Sequence, residues 1–382
     1  MSDNQIKVQV VPGMQTSANP ALLVQVQRTV PKVLASFFSP APVTVTANSQ
    51  AELVTFTTIT AGSGGQPCLV ALSNTGTVSG QGSTYWTMPG CTVRSNGTVD
   101  VHGGGGPLNT AGIYAGGAVN IDTWISTTGG QYPNRGTISD PYLSNTTLQN
   151  HFTATAALSS PGNIACGSMS GVLGSAGQYT GTNNCNGTNT LPNGGACVTS
   201  SGVTCTLYPG DYGSFSATGG PYVFNFRPGL YRFKGNIALT NNTTSNGTGV
   251  TILSTGVFTG SNSFNFNIAA PTTTQASNTG GIAGVALTSN NAATATISGN
   301  AAFNITGVAY FPNAIFDASG SSCNSTTPCF GTNSTTCLEI VAQSIKLTGN
   351  SNFSSSCSGY GVAVFTSIGG STTSTASARL VQ

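Results

Sequence analysis

The chain has 382 residues, enough for two ordinary domains or one elongated one, and 38% of them are hydrophobic, which is adequate for a buried core. Asp, Glu, Lys and Arg make up only 5%, against about 25% in a typical soluble domain, so the surface must be neutral Asn, Thr, Ser and Gly. Ten basic and eight acidic residues leave a net charge of +2, which excludes the Lys/Arg stripe that a nucleic-acid partner requires.

The first sixty residues carry the alternating runs IKVQVV, ALLVQVQRTV and VTVTANSQAELV, with a short helical turn at PKVLASFF, and predict a small antiparallel β module over 1–60. A linker follows at 61–67. From Cys68 the sequence repeats loosely. Pro209-Gly210-Asp211-Tyr212 returns nineteen residues later as Pro228-Gly229-Leu230-Tyr231, and TGSNSFNF, SGNAAFNI and TGNSNFSS recur from Thr259, Ser298 and Thr348. A unit of roughly 19 to 25 residues fits them all and equals one coil of a parallel β-helix. The 51 glycines, many in turn-forming pairs, serve the corners, and short Val, Ile, Phe and Tyr runs serve the strands. The expected fold is therefore all-β: the small antiparallel module, then a right-handed parallel β-helix (a β-solenoid) over 68–368. A β-sandwich is the competing reading. A Cys-rich insertion is expected around 159–205 and a flexible tail over 369–382.

Ten cysteines without a C-x-x-C spacing, and only two histidines, read as disulfides rather than metal ligands, so neither a metal nor a cofactor is expected. Cys68/Cys91, Cys166/Cys185 and Cys337/Cys357 are each about one coil apart and are expected as row-to-row staples. Cys197/Cys205 and Cys323/Cys329 are expected as short loop closures, with buried free thiols as the alternative for some of the ten. Disulfides imply an oxidising, exported location, extracellular or on a cell surface. The opening MSDNQIKVQVV shows neither a charged n-region nor an apolar h-region, and no segment reaches the ~18 apolar residues of a membrane span. The export signal is then expected to have been removed, or the chain to be part of a longer product.

Several stretches, in order, resemble one family. PALLVQVQRTVPKVLASFFSPAPVTVTANSQAELV, CLVALSNTGTVSGQGSTYWTMPGCTV, SDPYL, the Pro-Gly-x-Tyr pair, GTGVTIL and CLEIVAQSIKLTGNSNFSSSCSGYG are similar to TadG-like proteins of bacterial Tad/Flp pilus assembly. The similarity spans most of 6–362. It implies a bacterial envelope or secreted protein with a β-rich extracytoplasmic part, preceded by a transmembrane helix that this sequence lacks. The family supplies no catalytic residues to carry over.

Parallel β-helices that act on acidic polysaccharides need carboxylates on neighbouring coils, and Asp100, Asp122 and Asp140, with Arg94 and Arg135 close in sequence, are the candidate cluster. Chance spacing is the alternative, and Asp140 in SDPY suits a turn. Asp211 and Arg232 read as a surface ion pair, and His102 and His151 as loop or surface residues. GGGG at 103–106 lacks the context of a phosphate loop and reads as a flexible turn. The N-x-S/T triplets at Asn96, Asn145, Asn186, Asn242, Asn246, Asn304, Asn324 and Asn333 read as chance. Tyr85, Trp86, Trp124 and Tyr142 would stack on sugars if exposed and otherwise fill the core. Thr-rich stretches do not recur at every coil, which argues against an ice-binding face. The expected function is a non-catalytic structural or adhesive protein of the envelope or of an extracellular filament. Its expected partners are itself, other envelope or pilus proteins, or surface polysaccharide. A polysaccharide-acting enzyme or a carbohydrate-binding adhesin is the alternative.

Overall fold

Strands dominate because short apolar-polar alternations are cut at close intervals by Gly and Asn. The architecture is taken from a computed structural model, which describes residues 5–12, 20–30, 43–59, 67–103, 106–167, 185, 190–199, 202–320, 337–349, 352–354 and 372–381. The helical turn expected at 31–38 lies outside these residues. The chain divides into one unit of 1–62 with 370–382 and another of 63–369.

The first unit is a four-stranded antiparallel sheet of Gln5–Pro12, Pro20–Val30, Val43–Ile59 and Thr372–Val381. Its last strand corrects an expectation, since the segment read as a flexible tail pairs from Thr372↔Ile59 to Val381↔Gln50. The reason lies in its partner. Pro20–Val30 pairs only with Val43 to Glu52 of the long strand, so without Thr372–Val381 the remainder would be a bare edge.

The second unit contains one large, almost wholly parallel sheet of 24 strands, arranged as three ladders. The chain visits them always in the same order. Val203–Leu207 lies on the first ladder, Gly210–Tyr212 on the second and Phe215–Ala217 on the third. The next row repeats the visit with Tyr222–Phe226, Gly229–Phe233 and Ile237–Thr240, and the one after with Thr244–Thr248, Val250–Ser254 and Phe258–Ser261. Each strand hydrogen-bonds in parallel to its counterpart one row on; in the second of these rows every second side chain is buried, whereas Val250–Ser254 on the second ladder is buried throughout. Helix α2, Thr273–Thr279, interrupts the fourth row, closed by a capping box at Thr272 and Gln275 and by Gly280 at φ +72°.

The rows do not follow sequence order. Leu338–Gly349 pairs on one side with Ala302–Gly320 and on the other with Pro67–Ala71 and Thr77–Gln81. A run from 203 to 354 and a run from 67 to 132 therefore meet at this seam. Between them the chain crosses back over the rows: Asp140 meets Tyr310, Leu158 O accepts from Lys234 Nζ, and Ile164–Cys166 pairs with Phe215–Ala217. Helix α1, Thr146–Ala156, lies on this crossing, capped by Asn145 and set against Gly229–Phe233 and Val250–Ser254, with Leu148, Phe152 and Thr155 buried.

The core of the 203–320 run is a stack of rings. Phe266 lies flat over Phe303 at 5.7 Å, Phe215 over Phe233 at 5.9 Å, and Phe258 meets Phe266 edge-on at 5.5 Å. The Pro-Gly-x-Tyr repeat shapes the corner between first and second ladders. Tyr212 donates its hydroxyl to Tyr208 O and Tyr231 its hydroxyl to Arg227 O, so each ring ties down the carbonyl just before its own Pro-Gly. Gly210 and Gly229 there take φ of +146° and +141°.

Disulfides join Cys68 to Cys91 at a Cα separation of 5.5 Å, Cys166 to Cys185 at 5.2 Å and Cys197 to Cys205 at 3.9 Å, matching the expected pairs. Cys337 is also disulfide-bonded, whereas Cys323, Cys329 and Cys357 lie outside the described residues.

Candidate functional site

Near one end of the 67–132 run, the third ladder carries Thr98–His102 beside Val119–Ile121, in the register Asp100↔Asn120 and Val101↔Ile121. Alternation buries Val99 and Val101, which turns Asp100 and His102 outward. One row on, the chain brings Asn120 and Asp122 to the same face.

These residues form a connected array. His102 Nδ1 lies 2.8 Å from Asp122 Oδ1, and His102 Nε2 lies 3.0 Å from Asp100 Oδ1. Asn120 Nδ2 donates to Asp100 Oδ1 at 3.3 Å, and the Gly103 amide donates to Asp122 Oδ2 at 2.8 Å. Trp124 closes the chain by donating its indole Nε1–H to Gly103 O at 2.8 Å, while 70% of its surface remains exposed. The hydrogen bond to Asp122, then that to Asp100, raises the His102 pKa above its ordinary value. Asp122 is lowered, first by the His102 bond and then by the Gly103 amide. Both imidazole nitrogens face carboxylates, so neither is open to take a proton from a substrate. The array can accept hydrogen bonds and offer an aromatic face.

The third expected carboxylate is elsewhere. Asp140 accepts from Tyr310 Oη at 2.7 Å and from the Tyr142 amide at 2.9 Å, which fastens the crossing segment to the second ladder. Tyr142 is fully buried beside Tyr310, at 4.7 Å between rings, and desolvation, then the Glu339 charge, pushes its hydroxyl well above the ordinary range. The arginines also stand apart: Arg94 stacks on Tyr114 at 4.5 Å, Arg135 on Tyr132 at 5.4 Å, and the two tyrosines on each other at 4.6 Å.

Of the aromatics considered for sugar stacking, Trp86 and Tyr142 are core, Tyr85 is half-buried and Trp124 is exposed. His151 is not in a loop but on α1, half-buried, its pKa lowered by desolvation and then by Arg232. Asp211 and Arg232 form the expected ion pair, a fork with contacts of 2.6 and 2.8 Å. Gly103 is a turn glycine at φ +107°, whereas 104–105 lie outside the described residues.

Several N-x-S/T asparagines have structural work. Asn96 is buried and bonds Leu72 O, Ile138 O and the Ile138 amide, Asn145 caps α1, and Asn225, Asn246, Asn267 and Asn304 form an amide ladder on the first ladder's outer face. Asn242 is an exposed turn residue at φ +60°, while Asn186, Asn324 and Asn333 lie outside the described residues. The sulfurs of Cys185, Cys197 and Cys205 lie within 4.8 Å of one another, but each is half of a disulfide and offers no thiolate to a metal.

The Asp-His-Asp array was legible only in part. Asp100 and Asp122 belong to the expected carboxylate cluster, whereas His102, expected only as a loop or surface residue, lies at the surface and joins them. A row length of about 20, applied to Asp100-x-His102, places His102 opposite Asp122. No family model, curated protein or solved structure matches this chain.

Proposed function

We propose that the chain is a non-catalytic structural or adhesive protein, exported by a bacterium, in which the three ladders are the faces of a right-handed parallel β-helix. The seam carries this reading: Leu338–Gly349 hydrogen-bonds to rows from both runs, which makes one stack of parallel rows from two stretches of chain. The invariant order of ladders and the alternating burial on the first and third ladders fit a closed coil, and crossovers between parallel strands are right-handed in nearly all proteins. The disulfides suit an oxidising, extracellular or cell-surface setting, and no helix among the described residues is long and apolar enough to cross a membrane.

Two features support a role without catalysis. Asp140 is committed to Tyr310, and the nitrogens of His102 are both engaged. The ordered motifs resembling TadG-like proteins support a tie to Tad/Flp assembly, as a filament component or an adhesin. Self-association through row edges follows from strands such as Val119–Ile121 and Gly130–Tyr132, which pair on one side among the described residues. Electron cryomicroscopy of the unreduced full chain, with light scattering over a range of concentration, tests the proposal. Rows spaced about 4.8 Å along one axis, with subunits joining end to end as concentration rises, are expected. A monomer at every concentration would remove self-assembly, and two sheets packed face to face would remove the β-helix.

A further inference from the structure

Exposed aromatic surface and oriented polar groups are built together on the third ladder of the 67–132 run. A hydrogen-bond chain runs from Trp124 through Gly103, Asp122 and His102 to Asp100 and Asn120. Its chemistry is amphipathic. Trp124 shows 70% of its surface to solvent, and the bond to Gly103 O holds the indole in place instead of letting it fold into the core as Trp86 does. Among the described residues, Asp100 Oδ2 and Asn120 Oδ1 take no hydrogen bond, so two oriented acceptors remain beside the acceptors already in use.

An exposed flat ring stacks on the C–H face of a pyranose, and fixed carboxylate and amide oxygens accept from its hydroxyls. The pairing suits a ligand that is apolar on one face and rich in donors at its rim. Charge narrows the class further. Two carboxylates share one imidazole, and Lys346, on the same ladder, is already bound to Asp317 at 3.0 Å. An anionic polymer such as a polyuronate would meet uncompensated negative charge.

We infer that Trp124, Asp100, Asn120 and Asp122 form a binding site for a neutral glycan, with Trp124 as the stacking platform and Asp100 and Asn120 as the hydroxyl acceptors. This deepens the adhesive reading and rests on it. His102 is a positioning residue that sets the orientation of both carboxylates.

The test is titration of the full unreduced chain with two probes, a β-1,4-linked glucose hexasaccharide and a galacturonate hexasaccharide, followed by tryptophan emission. Trp86 is buried, so the exposed signal belongs to Trp124. Saturable change with the glucose oligomer, at least tenfold weaker in Trp124→Phe and Asp100→Asn and absent with the galacturonate oligomer, is expected. Calorimetry supplies the affinity of Trp124→Phe, and far-ultraviolet circular dichroism checks that both variants keep the native fold. No saturation with the glucose oligomer, equal binding of the uronate, or affinity that survives both substitutions would overturn the site. Those results leave the light-scattering and cryomicroscopy tests of self-assembly and of the β-helix untouched, so the two readings fail separately.

Discussion

The two runs of parallel strands share a backbone plan and differ in what they hang on it. The 203–320 run packs aromatic rings inside, with Phe224, Phe233, Phe258, Phe266 and Phe303 all buried, and sets the amide ladder Asn225, Asn246, Asn267 and Asn304 outside. The 67–132 run packs mainly aliphatic residues inside, among them Leu69, Val78, Val93, Val99 and Leu108. Its outer positions carry the Arg94–Tyr114–Tyr132–Arg135 stack and the Asp-His-Asp array. Neutral amides can repeat on every row because each donates to the one a row before, whereas like charges at that spacing repel. Charged groups therefore occur locally, as the Asp211–Arg232 pair in the 203–320 run and as the Asp-His-Asp array and the arginine–tyrosine stack in the 67–132 run.

The sharpest way to break this contrast is to remove a ring from the stacked core. Phe303→Ala deletes a ring lying between Phe266 and Phe316 and should cost about 3–5 kcal/mol in urea unfolding, more than Val99→Ala in the aliphatic run. Equal losses at the two sites would contradict this, because burial alone already makes the larger ring the costlier deletion. Next in size is the staple of the other run. Replacing Cys68 and Cys91 with Ser frees a 23-residue separation and should cost about 3 kcal/mol, seen as a lower midpoint under non-reducing conditions.

Smaller effects probe the contacts between segments. Tyr310→Phe leaves the Asp140 carboxylate without its hydroxyl donor and should cost about 1–3 kcal/mol, with hydrogen exchange rising first in α1 and the rest of the crossing segment. Protection unchanged there would show that other contacts hold the crossing in place. Asp211→Asn removes a partly exposed ion pair and should change stability by about 1 kcal/mol or less, and less still at high salt.

The Asp-His-Asp array makes a pH-dependent prediction with a defined sign. His102 is raised, so its stabilising contribution is complete below the ordinary histidine value of about 6.5 and is lost as pH rises through the raised value. Asp122 is lowered, so its contribution is present above about 4 and is lost as pH falls through the lowered value. Both act together between about pH 4 and 6.5. An NMR titration of His102 should show Asp122→Asn bringing the imidazole down further than Asp100→Asn, because the Asp122 bond is the larger cause. The reverse order would reassign the dominant partner.

Much of the plan was readable in one dimension because strand side chains alternate with period two. The sequence repeat aligns Tyr212 with Tyr231, whereas the ladder pairs Tyr212 with Phe233, a slip of two residues. Likewise the FN repeat aligns Phe264 with Phe303, but Phe266 is the residue in register. An even slip keeps every side chain on its own face, so the inward and outward assignment survives although the partners change. The unpredicted helices are capped interruptions of a β pattern, and α1 buries only Leu148, Phe152 and Thr155, too sparse a stripe to stand out. The tail was misread because its value lies in covering the edge of a strand far away in sequence, Val43–Ile59.

Local chemistry thus determined a β-rich chain with a row length near 20, glycine corners, neutral faces and one-row disulfides, since each depends on residues within a row or two of one another. Only the tertiary structure decided the order of the rows, the seam between Leu338–Gly349 and Pro67–Gln81, the fastening of Asp140 to Tyr310 and the pairing of Thr372–Val381 with the first unit. Backbone hydrogen bonds between parallel rows are nearly indifferent to side-chain identity, so a row edge accepts any neighbour of the right twist and register. Which neighbour it receives depends on burial and ring packing summed over the whole unit, a quantity that no single stretch of sequence contains.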